Sequence, residues 1–455
     1  MGSHLTDSKL FGSMFGTKAM KEIFSDEGQV KQWLIVEAAI ARAQGDLGII
    51  PKEAAIEISS KAQLKYIDIE ALGKEIEVAS HPIVPIIKQL ERACNNNYGQ
   101  FVHWGATTQD IMDTGNVLQI KKSFNLIEPK LKNIIRVLMK LAEKHKETIM
   151  PGRTHGQHAL PITFSFKVSG WIDELGRQLD RLQSLRERVL IGQFSGAVGT
   201  LASFNKDGLK VQEKVMDILE LKTPKIAWHT SRDNLVEVAM FMGMLMGTMA
   251  KIAKEVTILQ KTEIKELEEP FKDGQIGSST MPHKRNPVLC QNIVTISKVV
   301  RKNASLVLEN MDHEHERDMI RWQVEWAAFP EIFIMSDAAL DMVEKVVSNI
   351  KVNEKQMRRN IDLTNGLILS ESIMLRLGEG LGKQNSHHII LEACMEAINQ
   401  NQPLEKILLK NKQITDQINE KEIKALLDPL NYIGSSSAIV DNVLAEAMNN
   451  LNGDQ

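Results

Sequence analysis

Apolar residues recur at steps of three and four along much of the chain. Phe124, Ile127, Leu131, Ile134, Leu138 and Leu141 form one such series, and Val168, Trp171, Leu175, Leu179, Leu182 and Leu185 form another. This spacing predicts long helices that each press one apolar face against a partner. The run Leu235–Ala250 (LVEVAMFMGMLMGTMA) is apolar nearly throughout. It is too short to span a bilayer, contains Glu237, and runs into Lys251 and Lys254, so it predicts a helix buried on all sides. Alternating strand patterns are rare. No proline occurs between Pro161 and Pro224 or between Pro330 and Pro403, which leaves room for helices well beyond the usual length of about eleven residues. The expectation is an all-α protein built on an elongated bundle, with shorter helices over residues 1–105, long helices over 106–345 and shorter helices again over 346–455. One apolar face per long helix also calls for partner helices, and hence for a symmetric oligomer.

Composition narrows the function more than the fold. Of 455 residues, 43% are hydrophobic, enough for a sizeable core, and the net charge is -3 at a pI near 6.5. That balance gives no basic footprint for nucleic acid and no polybasic membrane surface. The three cysteines, Cys94, Cys290 and Cys394, have no paired spacing and read as reduced residues of a cytoplasmic protein. The first residues, MGSHLTDSKLF, lack the apolar stretch of a signal peptide.

Four segments place polar residues beside glycine or proline, where a bundle protein has free backbone donors. They are Ser80-His81-Pro82; FVHWGATTQD (101–110) with His103, Thr107 and Thr108; PGRTHGQHALP (151–161) with His155, Gln157 and His158; and GSSTMPHKRNP (277–287) with Ser278, Lys284 and Asn286. Singly, each has an ordinary explanation. His81 alone reads as a hydrogen-bonded structural residue, and Thr107-Thr108 before Asp110 as a helix cap. HEHERD (313–318) lacks the i, i+4 histidine pair of a zinc helix and reads as a solvated charged face. His155 and His158 lack nearby carboxylates for a metal. Together they suit a carboxylate-bearing substrate. Thr107, Thr108, Lys284, Asn286 and Arg317 supply hydroxyls, an amide and cations, and removing a proton beside a carboxylate needs a base and support for the resulting dianion. A serine serves as that base if a lysine and loop amides stabilise its alkoxide.

GSSTMPHKRNP resembles the signature loop of the fumarase/aspartase superfamily, and FVHWGATTQD and GRTHGQHALP resemble its other two motifs in the same order. The resemblance implies an all-α, three-domain subunit with a long central helical bundle. It also implies a homotetramer whose active sites are shared between subunits, and no metal or organic cofactor. By motif position, Ser278 would be the general base and His155 the general acid or its relay. Lys284 and Asn286 would hold the carboxylate and its developing charge. Thr107 and Thr108 would bind a second carboxylate with Gln157 and Arg317 nearby, and His81 and His103 match histidines of the adenylosuccinate lyases.

The branch resembled most is 3-carboxy-cis,cis-muconate cycloisomerase, on SHPIVPIIKQL (80–90), HEHERDMIRWQVEWAAFPE (313–331), GKQNSHH (382–388) and LDPLNYIGSSSAIVDNVL (427–444). Adenylosuccinate lyases carry an arginine where this chain has Trp326 and a glutamate where it has Gln291, and LFGSMFG (10–16) replaces their Arg-Tyr. Adenylosuccinate is therefore expected to be a poor substrate. Ser231-Arg232-Asp233-Asn234 departs from the cycloisomerase pattern, and Arg321 is expected to add an anion contact. The substrate expected is a small polycarboxylate. The alternatives are adenylosuccinate lyase or another succinyl-type lyase releasing fumarate and, in another class, a non-catalytic homologue like the lens crystallins.

Overall fold

A computed structural model describes residues 4–272 and 274–452; Met1–Ser3, part of the segment read for a signal peptide, lie outside the described residues. It is 68% helix and 4% strand, with nineteen α-helices among the described residues. The all-α expectation holds. The elements needed here are α1 (Asp26–Asp46), α2 (Ile83–Ala93), α3 (Thr108–Lys144), β1 (Ile149–Thr154), β2 (Gln157–Thr163), α4 (Phe164–Val189), α5 (Asp233–Leu259), β3 (Leu267–Glu268), α6 (Val288–Glu309), α7 (Trp322–Asn349) and β4 (Lys351–Val352).

The helical seams lie where the apolar period puts them. Phe124, Ile127, Leu131, Ile134 and Leu138 of α3 are wholly buried, and Leu141 is half-buried near the helix end. All six seam residues of α4 are buried. Proline spacing was the weaker guide. The 37-residue α3 contains Pro129, and α7 contains Pro330. An interior proline costs about 3 kcal/mol, but burying the five large seam side chains of α3, at about 1.5–3 kcal/mol each, outweighs it.

The Leu235–Ala250 run is part of the longer α5, which continues through Lys251 and Lys254 to Leu259. Among the described residues, α5 is the helix with the length and apolarity to cross a bilayer, yet 72% of its most apolar window is buried inside the protein. That is the signature of a core helix.

The described residues form two compact units. One is built from residues 4–131, 178–249 and 292–341, and the other from 132–177, 250–272, 274–291 and 342–452. In the first, Phe24, Phe124, Phe241, Phe329 and Phe333 form a chain of ring contacts with centroids 5.6–6.4 Å apart. In the second, Ile373, Leu377, Leu404, Leu408, Ile414 and Ile423 centre a separate apolar cluster.

The segment PGRTHGQHALP departs from the loop reading. It lies within the β1–β2 hairpin, with Thr154 paired to Gln157, Arg153 to His158, and a bulge between Pro151 and Arg153. His155 and Gly156 form the turn, with φ of 50° and 76°. Two residues at positive φ suit a two-residue hairpin because that turn matches the twist of the strands.

Candidate functional site

The polar segments of the first unit converge at the start of α3. Asp110 stands three residues into that helix and accepts the Thr107 N–H at 3.1 Å, half of a capping box. The same buried carboxylate accepts N–H bonds from Ser195 (3.1 Å) and Gly196 (3.0 Å) and contacts His229 Nε2 at 2.9 Å. Asp110 is therefore structural, as a capping residue should be. The Thr107 hydroxyl does not complete the box. It turns instead to Arg317, whose Nη1 donates to Oγ1 at 2.7 Å while Nε donates to Gln109 Oε1 at 3.3 Å.

Arg317 reaches this position from the segment between α6 and α7, which folds around Asp318. Its carboxylate accepts N–H bonds from Glu314 (3.0 Å), Ile320 (2.7 Å) and Arg321 (2.6 Å), and a 2.9 Å bond from the Arg321 guanidinium. Burial opposes the charged form, but these donors hold the Asp318 carboxyl well below the ordinary carboxylate range. HEHERD is thus only partly a solvated face: Glu314, His315 and Glu316 are exposed, whereas His313, Arg317 and Asp318 are at least half-buried. Arg321 is no new anion contact. Asp312 (3.1 Å), Glu314 (3.7 Å) and Asp318 (2.9 Å) already pair it.

His81 and Thr108 meet beside this pair, with Nε2 and Oγ1 3.1 Å apart. The other ring nitrogen accepts the Val84 N–H in the first turn of α2 at 3.2 Å. An accepting Nδ1 leaves the proton on Nε2, which donates to Thr108. Burial lowers the His81 pKa, and the nearby His103 and Arg317 cations lower it further. His103 is shifted the other way. Burial would lower its pKa too, but the Glu37 carboxylate 2.6 Å from Nδ1, with help from Asp110, raises it. His103 itself sits at φ 61°, a conformation uncommon outside glycine, and Gly105 follows at 71°. A Cβ on Gly105 would come within 2.2 Å of the Phe204 ring.

One turn further along α3, Arg232 is fully buried between two carboxylates. Nη1 and Nη2 donate to Asp113 at 2.7 and 3.0 Å, and Nε donates to Glu325 at 2.9 Å. Trp322 Nε1 adds a 3.0 Å bond to Asp113. The Ser231–Asn234 segment therefore spends its one cation on structure.

The second unit holds the remaining candidates. In the Ser278 loop, the Thr280 and Met281 N–H groups donate to Ser278 Oγ at 3.3 and 3.1 Å. Two amides aimed at one hydroxyl oxygen favour its negative form. The loop folds back so tightly that a Cβ on Gly277 would lie 2.1 Å from the Lys284 carbonyl oxygen. Arg285 anchors it through Glu268 at 2.6 Å and over the Phe271 ring, and its carbonyl accepts from Gln260 at 3.0 Å. Glu269 caps α6 by accepting from Leu289 (3.0 Å) and Cys290 (2.8 Å). Lys284 and Asn286 line a cleft of about 1180 Å³ with Lys261, Lys265, His283 and Arg285. Glu268 is the one carboxylate lining it among the described residues, so the cleft is set up for anions.

His155 and Gln157 are exposed on the hairpin of the same unit. The hairpin is pinned two residues before its tip, where Arg153 grips the wholly buried Glu266 with bonds of 2.9 and 2.5 Å and Asn360 adds a third at 2.7 Å. Sequence reasoning missed Glu37, Gln109, Glu266 and Glu269 as partners. Only the Asp110 cap carried a local signal.

The family model described as Lyase matches residues 15–301, and that described as Adenylosuccinate lyase C-terminus matches residues 366–443. An N-acetyl-S-(2-succino)cysteine lyase of Dickeya dadantii is 42% identical over 98% of each chain. An adenylosuccinate lyase of Methanocaldococcus jannaschii is 39% identical over 96% of this chain and 95% of its own. The crystal structure of 3-carboxy-cis,cis-muconate lactonizing enzyme from Pseudomonas putida aligns at a TM-score of 0.92 with 35% identity, over 97% of this chain and all of that one.

Proposed function

The chain belongs to the fumarase/aspartase superfamily of lyases, in its adenylosuccinate lyase-like group, and from that premise we propose that it removes a substituent from a succinyl compound and releases fumarate. Identity of 42% over 98% of both chains with a lyase named for a succinylated cysteine derivative carries this reading. It makes a succinyl thioether the first substrate to test. The Trp326 position and Arg321, whose charge is already met by three carboxylates, favour it over a nucleotide, since neither offers a phosphate a free cation.

In this reading Ser278, as alkoxide, takes a proton from the carbon next to one carboxylate, and the electron pair moves into that carboxylate as a dianion. The Thr280 and Met281 amides support the alkoxide; Lys284 and Asn286 hold the carboxylate and its added charge. The dianion then expels the thiolate from the neighbouring carbon as the double bond forms. His155, or a group it relays to, returns a proton to sulfur, so fumarate and a free thiol leave. Thr107, Thr108, Arg317 and Gln157 bind the second carboxylate, with His81 and His103 setting the charge around it. Proton transfer of this kind contributes roughly 10²- to 10⁴-fold, and loop closure excludes water from the dianion.

His155 and Gln157, exposed on a hairpin tip of the single chain, support a homotetramer that completes each site from more than one subunit. The same groups run in reverse would close a lactone. The likeness to the Pseudomonas putida enzyme therefore favours cycloisomerisation of 3-carboxy-cis,cis-muconate as the second reading. Incubating the protein with S-(2-succino)-N-acetylcysteine, adenylosuccinate and carboxymuconate, followed by NMR, separates these readings. Fumarate from the thioether is expected; lactone alone would favour the second reading.

A further inference from the structure

A second, smaller cleft of about 210 Å³ lies in the first unit. Trp33 of α1, Met112 and Asn116 of α3, and Trp322 and Trp326 of α7 line it. Pro82, next to His81, lines it too, and Met112 stands one turn of α3 beyond Thr108, so the cleft adjoins the His81–Thr108 pair along both elements. We propose that this cleft is the subsite for the departing half of the substrate, and that it selects a compact apolar or thioether group against a phosphorylated one. The proposal rests on the fumarate-releasing reading above and names what leaves.

Three observations carry it. The first is aromatic surface: Trp322 and Trp326 meet edge to face at 4.9 Å, and Trp326 keeps 38% of its surface exposed. Sulfur and apolar groups gain from such rings. The second is charge. Among the described residues no lysine or arginine lines the cleft, while the carboxylates Asp113 and Glu325 do. The Arg232 cation behind them is buried and committed to both. A phosphate dianion would lose its hydration here and gain no cation. The third is construction. A Cβ on Gly115 would come within 2.8 Å of Trp33 Cδ1, so this glycine, costly by about 1 kcal/mol inside a helix, lets the indole approach α3 closely. The half-buried amides of Gln29 and Asn116 remain as neutral donors for the acetamide and single carboxylate of a cysteine-derived leaving group, which carries less charge to desolvate than a phosphate dianion.

The test uses two carbon analogues that cannot eliminate, 2-(3-phenylpropyl)succinate and 2-(4-phosphonooxybutyl)succinate, titrated calorimetrically into wild type, Trp326→Arg and Trp326→Phe. Wild type is expected to bind the phenyl analogue at least about tenfold more tightly. Trp326→Arg should erase or invert that ratio, and Trp326→Phe should keep it. Equal binding of the two by wild type, binding of neither, or an unchanged ratio in Trp326→Arg would overturn the proposal. Fumarate release from a succinyl thioether is followed in parallel. Its absence alongside an intact tail preference would sink the reaction and leave the subsite standing.

Discussion

One imidazole joins two helices at the candidate site: His81 accepts the Val84 N–H through Nδ1 and donates from Nε2 to Thr108 Oγ1, 3.1 Å away. The ring can serve both bonds only when neutral, which matches the direction of its pKa shift.

That shift sets a sign for the pH dependence of stability. The His81 pKa is lowered in the folded protein, so its contribution is present above the unfolded value of about 6.5 and is lost as pH falls through the folded value. The His103 pKa is raised, so its contribution is present below about 6.5 and is lost as pH rises through the folded value. Chemical denaturation of His81→Gln should show a larger deficit against wild type at about pH 8 than at about pH 5, and His103→Gln the reverse. Parallel deficits at both pH values would contradict the assignment.

Arg317 and Asp318 are adjacent but should fail differently. Arg317→Ala removes a charged donor from the proposed carboxylate site. It should raise KM by the equivalent of about 1.5–3 kcal/mol, a factor on the order of 10 to 100. Asp318→Asn leaves the guanidinium present but loosens the turn that aims it, so it should cost less in KM. Adding Asp318→Asn to Arg317→Ala should then cost little more. Steady-state kinetics of the three variants check this, and fully additive losses would show that Asp318 acts elsewhere.

Gly277→Ala isolates the loop. Its new methyl would meet the Lys284 carbonyl at 2.1 Å, forcing open the fold that turns the Thr280 and Met281 amides onto Ser278. The loop is half-buried or exposed and not part of either unit's apolar core, so Tm should change little while kcat falls at least about tenfold. A large loss of Tm would mean that the loop supports the fold.

How far the sequence was legible depends on the range of each interaction. The seams of α3 and α4 rest on local periodicity, and they came out residue by residue except at the half-buried Leu141. The Asp110 cap was readable from Thr107 for the same reason. The β1–β2 hairpin was hidden because its glycines and prolines mark a loop equally well, and His155-Gly156 is not a common hairpin pair. Arg232 could not be read at all. Its partners stand 119 and 93 residues away in sequence, and nothing around Ser231 hints that they take up its charge. Arg321 failed differently: its three acidic partners were adjacent and visible, but a charge run gives no sign of which residues turn inward.

The central claim is that Ser278 starts an elimination that ends in fumarate. Its most direct test is the rate of fumarate release from S-(2-succino)-N-acetylcysteine by wild type and by Ser278→Ala, each shown by sedimentation and circular dichroism to keep the same assembly and helix content. Steady release by wild type, and a fall of at least about a thousandfold in kcat for Ser278→Ala with the substrate still bound, is the expected result. Fumarate released by Ser278→Ala at a rate near that of wild type would contradict it.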